Sequence, residues 1–104
     1  MTGTPSQIEW AEQIKPRVGL EFDRVAEAFR AVAQKQNESQ QLDTETILAI
    51  LEEKRLEVMA RNEAGYFIRD WQELRDQVRQ LIAKDSRFDA ILARRQGRSR
   101  KDAQ

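Results

Sequence analysis

Cysteine and histidine are both absent from the chain. Without thiols there is no disulfide framework and no thiolate metal site, and a reducing compartment is permitted. Without imidazole the commonest general base and the commonest metal ligand are missing. Catalysis would fall to Asp, Glu, Lys, Tyr or Ser alone, and nothing in the sequence singles out one carboxylate pair among eighteen acids. Glu52, Glu53 and Glu57 lie close together, but a di-iron bundle pairs such acids with Glu-x-x-His, so that centre is excluded. They read instead as a solvated helix face, with Glu57 and Arg61 as an i,i+4 pair. No glycine-rich phosphate motif, G-x-G-x-x-G or G-x-x-x-x-G-K-[ST], occurs. The expectation is a non-enzyme with no catalytic residue, no cofactor, no metal and no small-molecule substrate.

Loop-forming residues are scarce: four Gly and two Pro, too few for the many turns of a β-sandwich. Long apolar runs are missing too. The longest, "ILAIL" at 47–51, falls far short of the roughly twenty residues that span a bilayer. The start, "MTGTPSQIEW", has no basic stretch leading into an apolar one, so no secretory signal is visible. These absences together predict a soluble, cytoplasmic protein. Net charge is also zero, but unevenly spread. Residues 92–104 carry five basic side chains against one acid, a net +4, which leaves −4 on residues 1–91.

What remains is a 104-residue chain, 39% apolar and 35% charged. That is one domain of amphipathic elements around a modest core. Ala11, Ile14, Val18, Phe22, Val25, Phe29 and Val32 recur at spacings of three and four, a helical stripe. Ser6 and Glu9 match a capping box at its start. Pro16 and Gly19 interrupt the stripe and predict a break, giving a short helix over about 7–15 and a longer one over 16–36. The polar segment "QNESQQLD" reads as a loop ending at Asp43, a good N-cap for a second helix over 44–61.

Phe67, Trp71, Leu74, Val78, Leu81 and Ile82 fall within about 60° of Phe67 at 100° per residue, which predicts a third helix over 66–84. Its stripe is out of phase with that of 44–61. The two must therefore be separate, with Asn62 and Gly65 supplying the turn. Ser86, Phe88, Ile91 and Leu92 suggest a short helix over 87–95. The fold class is thus all-α: a small bundle of three main helices with a short helix at each end, residues 1–95 forming the domain and 96–104 a basic flexible tail. The expected core comprises Val18, Phe22, Val25, Phe29, Ile47, Leu51, Val58, Phe67, Trp71, Leu74, Val78 and Leu81.

By exclusion, the leading functional expectation is a non-catalytic protein–protein interaction module: an adaptor, regulator or inhibitor of a larger assembly, or a self-associating protein that forms a homodimer. Apolar side chains off the core stripes are the candidate partner contacts: Trp10, Leu56, Tyr66, Ile68 and the face formed by Phe88, Ile91 and Leu92. The alternative is a nucleic-acid-associated accessory protein that uses Arg94, Arg95, Arg98, Arg100 and Lys101. A helix-turn-helix reader is disfavoured, because the third helix balances Arg69, Arg75 and Arg79 with Asp70, Glu73 and Asp76. A helix of about thirty residues would also be near 45 Å long and overhang a hairpin of 27 Å helices. Either Pro16 folds its first turns back, or something else covers them.

Overall fold

The computed structural model describes residues 1–103, with side chains described through Arg95. The described residues form five helices: α1 (Pro5–Ala33), α2 (Glu38–Met59), α3 (Ala64–Asp70), α4 (Leu74–Ala83) and α5 (Ser86–Ala103). None of them is long and apolar enough to cross a membrane.

Helix α1 begins two residues earlier than expected. Thr4, not Ser6, is the N-cap: its hydroxyl accepts from the Gln7 N–H at 3.2 Å, and the Gln7 side chain accepts from the Thr4 N–H at 3.0 Å. Both Thr4–Gln7 and Ser6–Glu9 fit a capping box. Only the former puts Pro5 at the first helical position, where its missing N–H costs nothing and its fixed φ is already helical.

Pro16 does not divide α1, which runs unbroken for 29 residues. The expected split into 7–15 and 16–36 is therefore corrected to one helix. Pro16 and Glu12 are both exposed, so the Glu12 carbonyl that loses its donor lies on the solvent side. On the opposite side the apolar stripe stays covered both before Pro16, at Ala11, and after it, at Val18 and Phe22. Burial along both halves outweighs the local cost.

Two elements cover that stripe in succession. Helix α2 returns antiparallel to the C-terminal half of α1. Gln41 Nε2 donates to the Ala33 carbonyl at 2.9 Å near one end, and at the other a Cβ on Gly19 would meet Met59 Cε at 3.5 Å. Helix α2 stops there, and the overhanging first turns of α1 are covered by α3. Lys15 Nζ reaches the Arg61 carbonyl at 3.4 Å and lies 5.6 Å from the centre of the Phe67 ring. Neither folding back nor a partner chain is needed for this end.

The segment expected as a loop up to Asp43 is mostly helix. Asn37 caps α2, paired with Gln40 at 2.9 and 3.3 Å. Gln41 also donates to the Gln36 carbonyl at 3.1 Å, and the Thr44 hydroxyl donates to Gln36 Oε1 at 2.6 Å. The stretch is polar because it closes two helix ends within a four-residue turn (34–37).

The α2–α3 junction is a chain break in helix, as the phase shift demanded, but Gly65 lies inside α3 rather than in a left-handed turn. The N-terminus closes the junction instead. Thr2 forms an isolated parallel bridge to Glu63: its N–H donates to the Asn62 carbonyl at 2.8 Å, and its carbonyl accepts from the Ala64 N–H at 2.9 Å. Gly3 then turns the chain into α1 with φ of 145°, and a Cβ there would approach that of Ala64 to 3.0 Å. Only glycine meets both demands.

The expected helix 66–84 is two helices, α3 and α4, separated by Trp71–Glu73. Trp71 leaves helical geometry (φ −115°, ψ 33°) and turns its ring against Phe22, 5.8 Å away and tilted by 52°. Neither α3 nor α4 has a side-chain N-cap, so packing against α1 holds this corner. The short helix expected over 87–95 begins at Ser86 and continues to Ala103. Its N-cap is Asp85, which accepts from the Arg87 N–H at 2.9 Å. All twelve expected core residues join one cluster. Eight are buried, while Val25, Phe29, Leu74 and Leu81 are partly buried against them.

Pro16→Ala should raise the unfolding free energy, by up to about 3 kcal/mol if the interior helix penalty is fully recovered. Chemical denaturation with a CD readout measures it. A lower stability for the alanine variant would show that the ring, rather than burial on the far face, sets the path of α1.

Candidate interaction surfaces

The bundle is slender, with principal extents of 59 × 24 × 18 Å. Its cross-section is about two helix diameters. No helix is surrounded, and several apolar side chains remain at the surface: Leu20 and Leu42 are 66% and 63% exposed, Leu56 57%, Trp10 55% and Val32 54%.

Val32 lines a groove of about 440 Å³ between the C-terminal half of α1 and the α4–α5 corner. One wall is Arg24, Val25, Ala28, Phe29 and Val32 of α1. The other is Arg79, Ile82 and Ala83 of α4, with Phe88 of α5 at the end. Four of the α1 residues follow an i, i+3, i+4, i+7 pattern, so a single helix face forms this wall. No carboxylate lines the groove, and both of its charged residues are arginines. Beside it, Glu21 is buried and bonded to Arg24 at 2.9 and 2.5 Å. That hydrogen-bonded pair, reinforced by the charges of Arg24, Arg75 and Arg79, holds the Glu21 carboxyl below its ordinary pKa.

Two ionic clusters fix α5 on α2. Near its start, Arg87 donates to Asp85 at 3.0 Å and to Glu53 at 3.1 and 2.5 Å, with Lys54 3.5 Å from Asp85. The Arg87 guanidinium holds both carboxyls below the usual carboxylate range, Asp85 furthest. One turn past Ile91, Asp43 receives Arg94 in a short ion pair and Arg95 at 3.4 Å. Asp43 is thus not the cap of α2 but a buried anchor in its second turn.

The seven candidate contacts do not form one surface. Phe88 lines the groove, half-buried. Trp10 is exposed but eighteen residues from Ala28, about 27 Å along α1. Leu56 is exposed on the outer side of α2, and Leu92 is 40% exposed on α5. Ile68 is half-buried. Tyr66 and Ile91 are core residues, 9% and 6% exposed. The Tyr66 ring packs in a T-shape with Phe67 at 5.1 Å and beneath the Arg61 guanidinium at 4.0 Å. It is corrected from surface to core. Of the basic candidates, Arg94 and Arg95 are engaged by Asp43, and the side chains of Arg98, Arg100 and Lys101 lie outside the described residues.

Sequence reasoning missed the groove because it placed Val25 and Phe29 in a closed core. The available signal was length: the apolar stripe of α1 runs on to Val32, past the last apolar residue that α4 can set opposite it.

Two outcomes follow. Glu21, Glu53 and Asp85 have folded pKa values below their ordinary ones. Their contribution to stability is therefore present above the ordinary carboxylate range and lost as pH falls through it toward the folded values. Thermal melting should be flat from about pH 8 to 5 and fall below about pH 4, and Arg87→Gln should shrink that fall. Separately, Asp43→Ala removes the α2 carboxylate that Arg94 and Arg95 meet and should cost about 1 kcal/mol. Hydrogen exchange should report the loss first in α5. A uniform loss over all helices would refute the anchoring role.

Comparison with known proteins gives no match to this chain among family models, curated proteins or solved structures.

Proposed function

We propose that the chain is a non-catalytic, cytoplasmic interaction module that binds a helix of a partner chain in the groove between α1, α4 and α5. The observation that carries this reading is the groove itself: an apolar channel about two helical turns long, flanked by Arg24 and Arg79 and open to solvent. Helix-in-groove recognition needs such a channel, read by partner side chains at i, i+3, i+4 and i+7. The nucleic-acid alternative has less to draw on, since two of its five cations already hold α5 in place.

The test is titration of the ¹⁵N-labelled chain with a designed amphipathic helical peptide bearing a Leu/Ala stripe flanked by glutamates. Saturable shifts are expected at Val25, Ala28, Val32, Ile82 and Ala83. Val32→Glu, at a half-exposed site, should abolish them with helicity unchanged. Binding that ignores Val32→Glu, or shifts confined to other faces, would sink the proposal. A truncation that tests the tail must begin after Arg95, because removing Arg94 and Arg95 also releases α5.

A further inference from the structure

The groove has an electrostatic sign. Both charged residues that line it, Arg24 and Arg79, are basic, and Arg24 is bonded to Glu21 beside it. Its α1 wall runs seven steps along the helix from Val25 to Val32, about 10 Å. A fitting occupant is two turns of helix with a narrow apolar stripe and carboxylates on its flanks.

The chain itself presents such a helix. On the outer side of α2, Leu42, Ala49 and Leu56 are all exposed and recur every seven residues, so they lie along one side of the helix. Glu38 and Glu45 bracket Leu42 at i−4 and i+3, and both are exposed. No Lys or Arg occurs between residues 36 and 53. The Leu42 end of the stripe is thus flanked by carboxylates, and the groove by Arg24 and Arg79. None of Glu38, Leu42, Glu45 and Ala49 lines the groove. The two surfaces are distinct, so each copy can offer both at once.

Resting on the helix-docking reading above, we propose that the chain self-associates head to tail, the Leu42–Ala49 face of α2 in one copy seating in the Arg24–Arg79 groove of the next. The contact is heterologous: every pair leaves one groove and one stripe unused, and growth continues until a ring closes. Two turns of helix make a small interface, so association belongs at roughly tens of micromolar and above, weakened by salt because its charges sit at the rim.

Complementary blocked variants test it. Val32→Glu or Arg79→Glu closes the groove, and Leu42→Arg closes the stripe. All three positions are exposed, and CD and NMR confirm that each variant is folded. By sedimentation velocity, wild-type mass should rise with concentration past a dimer, and each variant alone should stay at the 12.2 kDa monomer. An equimolar mixture of groove and stripe variants should form a species of two copies, about 24 kDa, and stop there, because the one intact groove takes the one intact stripe. Three results overturn the proposal: a wild type monomeric at every concentration, a wild type that halts at a dimer, or variants that do not recombine on mixing. The designed-peptide titration then separates the two readings. If the peptide still binds the groove, self-pairing is wrong and docking of another protein's helix stands; if neither binds, both fall.

Discussion

A 29-residue helix with an apolar stripe along one side sets the terms for everything else in this fold. The stripe must be covered over nearly its full length, and no other segment is long enough to do so alone. Helix α2 packs along the C-terminal half, leaving its Val25–Val32 side open as the groove, α3 covers the N-terminal half, and α4 the seam between them. The corner at Trp71–Glu73 exists because coverage has to change direction there. The N-terminal bridge from Thr2 to Asn62 and Ala64 has the same origin, since it holds the α2–α3 junction down over the first turns of α1.

Much of this was legible in the sequence because apolar periodicity reports which face is buried. It located the core residues correctly and separated α2 from α3, whose stripes are out of phase. Periodicity is blind to a break that preserves phase. Phe67, Trp71, Leu74 and Val78 share one arc whether or not the helix is continuous, so the division at Trp71 left no trace. Local rules failed at Pro16 for the opposite reason. The proline penalty is real, but burial on the other face exceeds it. At the caps the motifs were present in duplicate, and the choice of Thr4 over Ser6 turned on which one seats Pro5 at the first helical position.

The interaction surface was harder to read. Residues off the stripe were singled out, and the structure divides them. Trp10, Leu56 and Leu92 are exposed, whereas Tyr66 and Ile91 are buried by contacts from elements distant in sequence. Tyr66 sits between Phe67 and Arg61, and neither contact follows from helical phase alone. The groove is built from residues that sequence assigns to the core. Val25 and Phe29 are on the stripe, and only the mutual placement of α1, α4 and α5 decides that the stripe stays open at that end.

That placement has an electrostatic cause. Helix α5 has a modest apolar face, with Ile91 its one buried large side chain among the described residues. Its position is set at two points by carboxylates of α2, Glu53 toward Arg87 at its start and Asp43 toward Arg94 and Arg95 two turns on. Arginine is suited to this, since its planar fork can engage carboxylates from more than one element. Ion pairing to α2 holds α5 along that helix, and α4 has already ended at Ala83. The groove is the space left between a helix held by charge and a helix held by apolar packing. Its apolar wall stays exposed because α5 is held on α2 by those ion pairs together with the burial of Ile91 and the packing of Phe88.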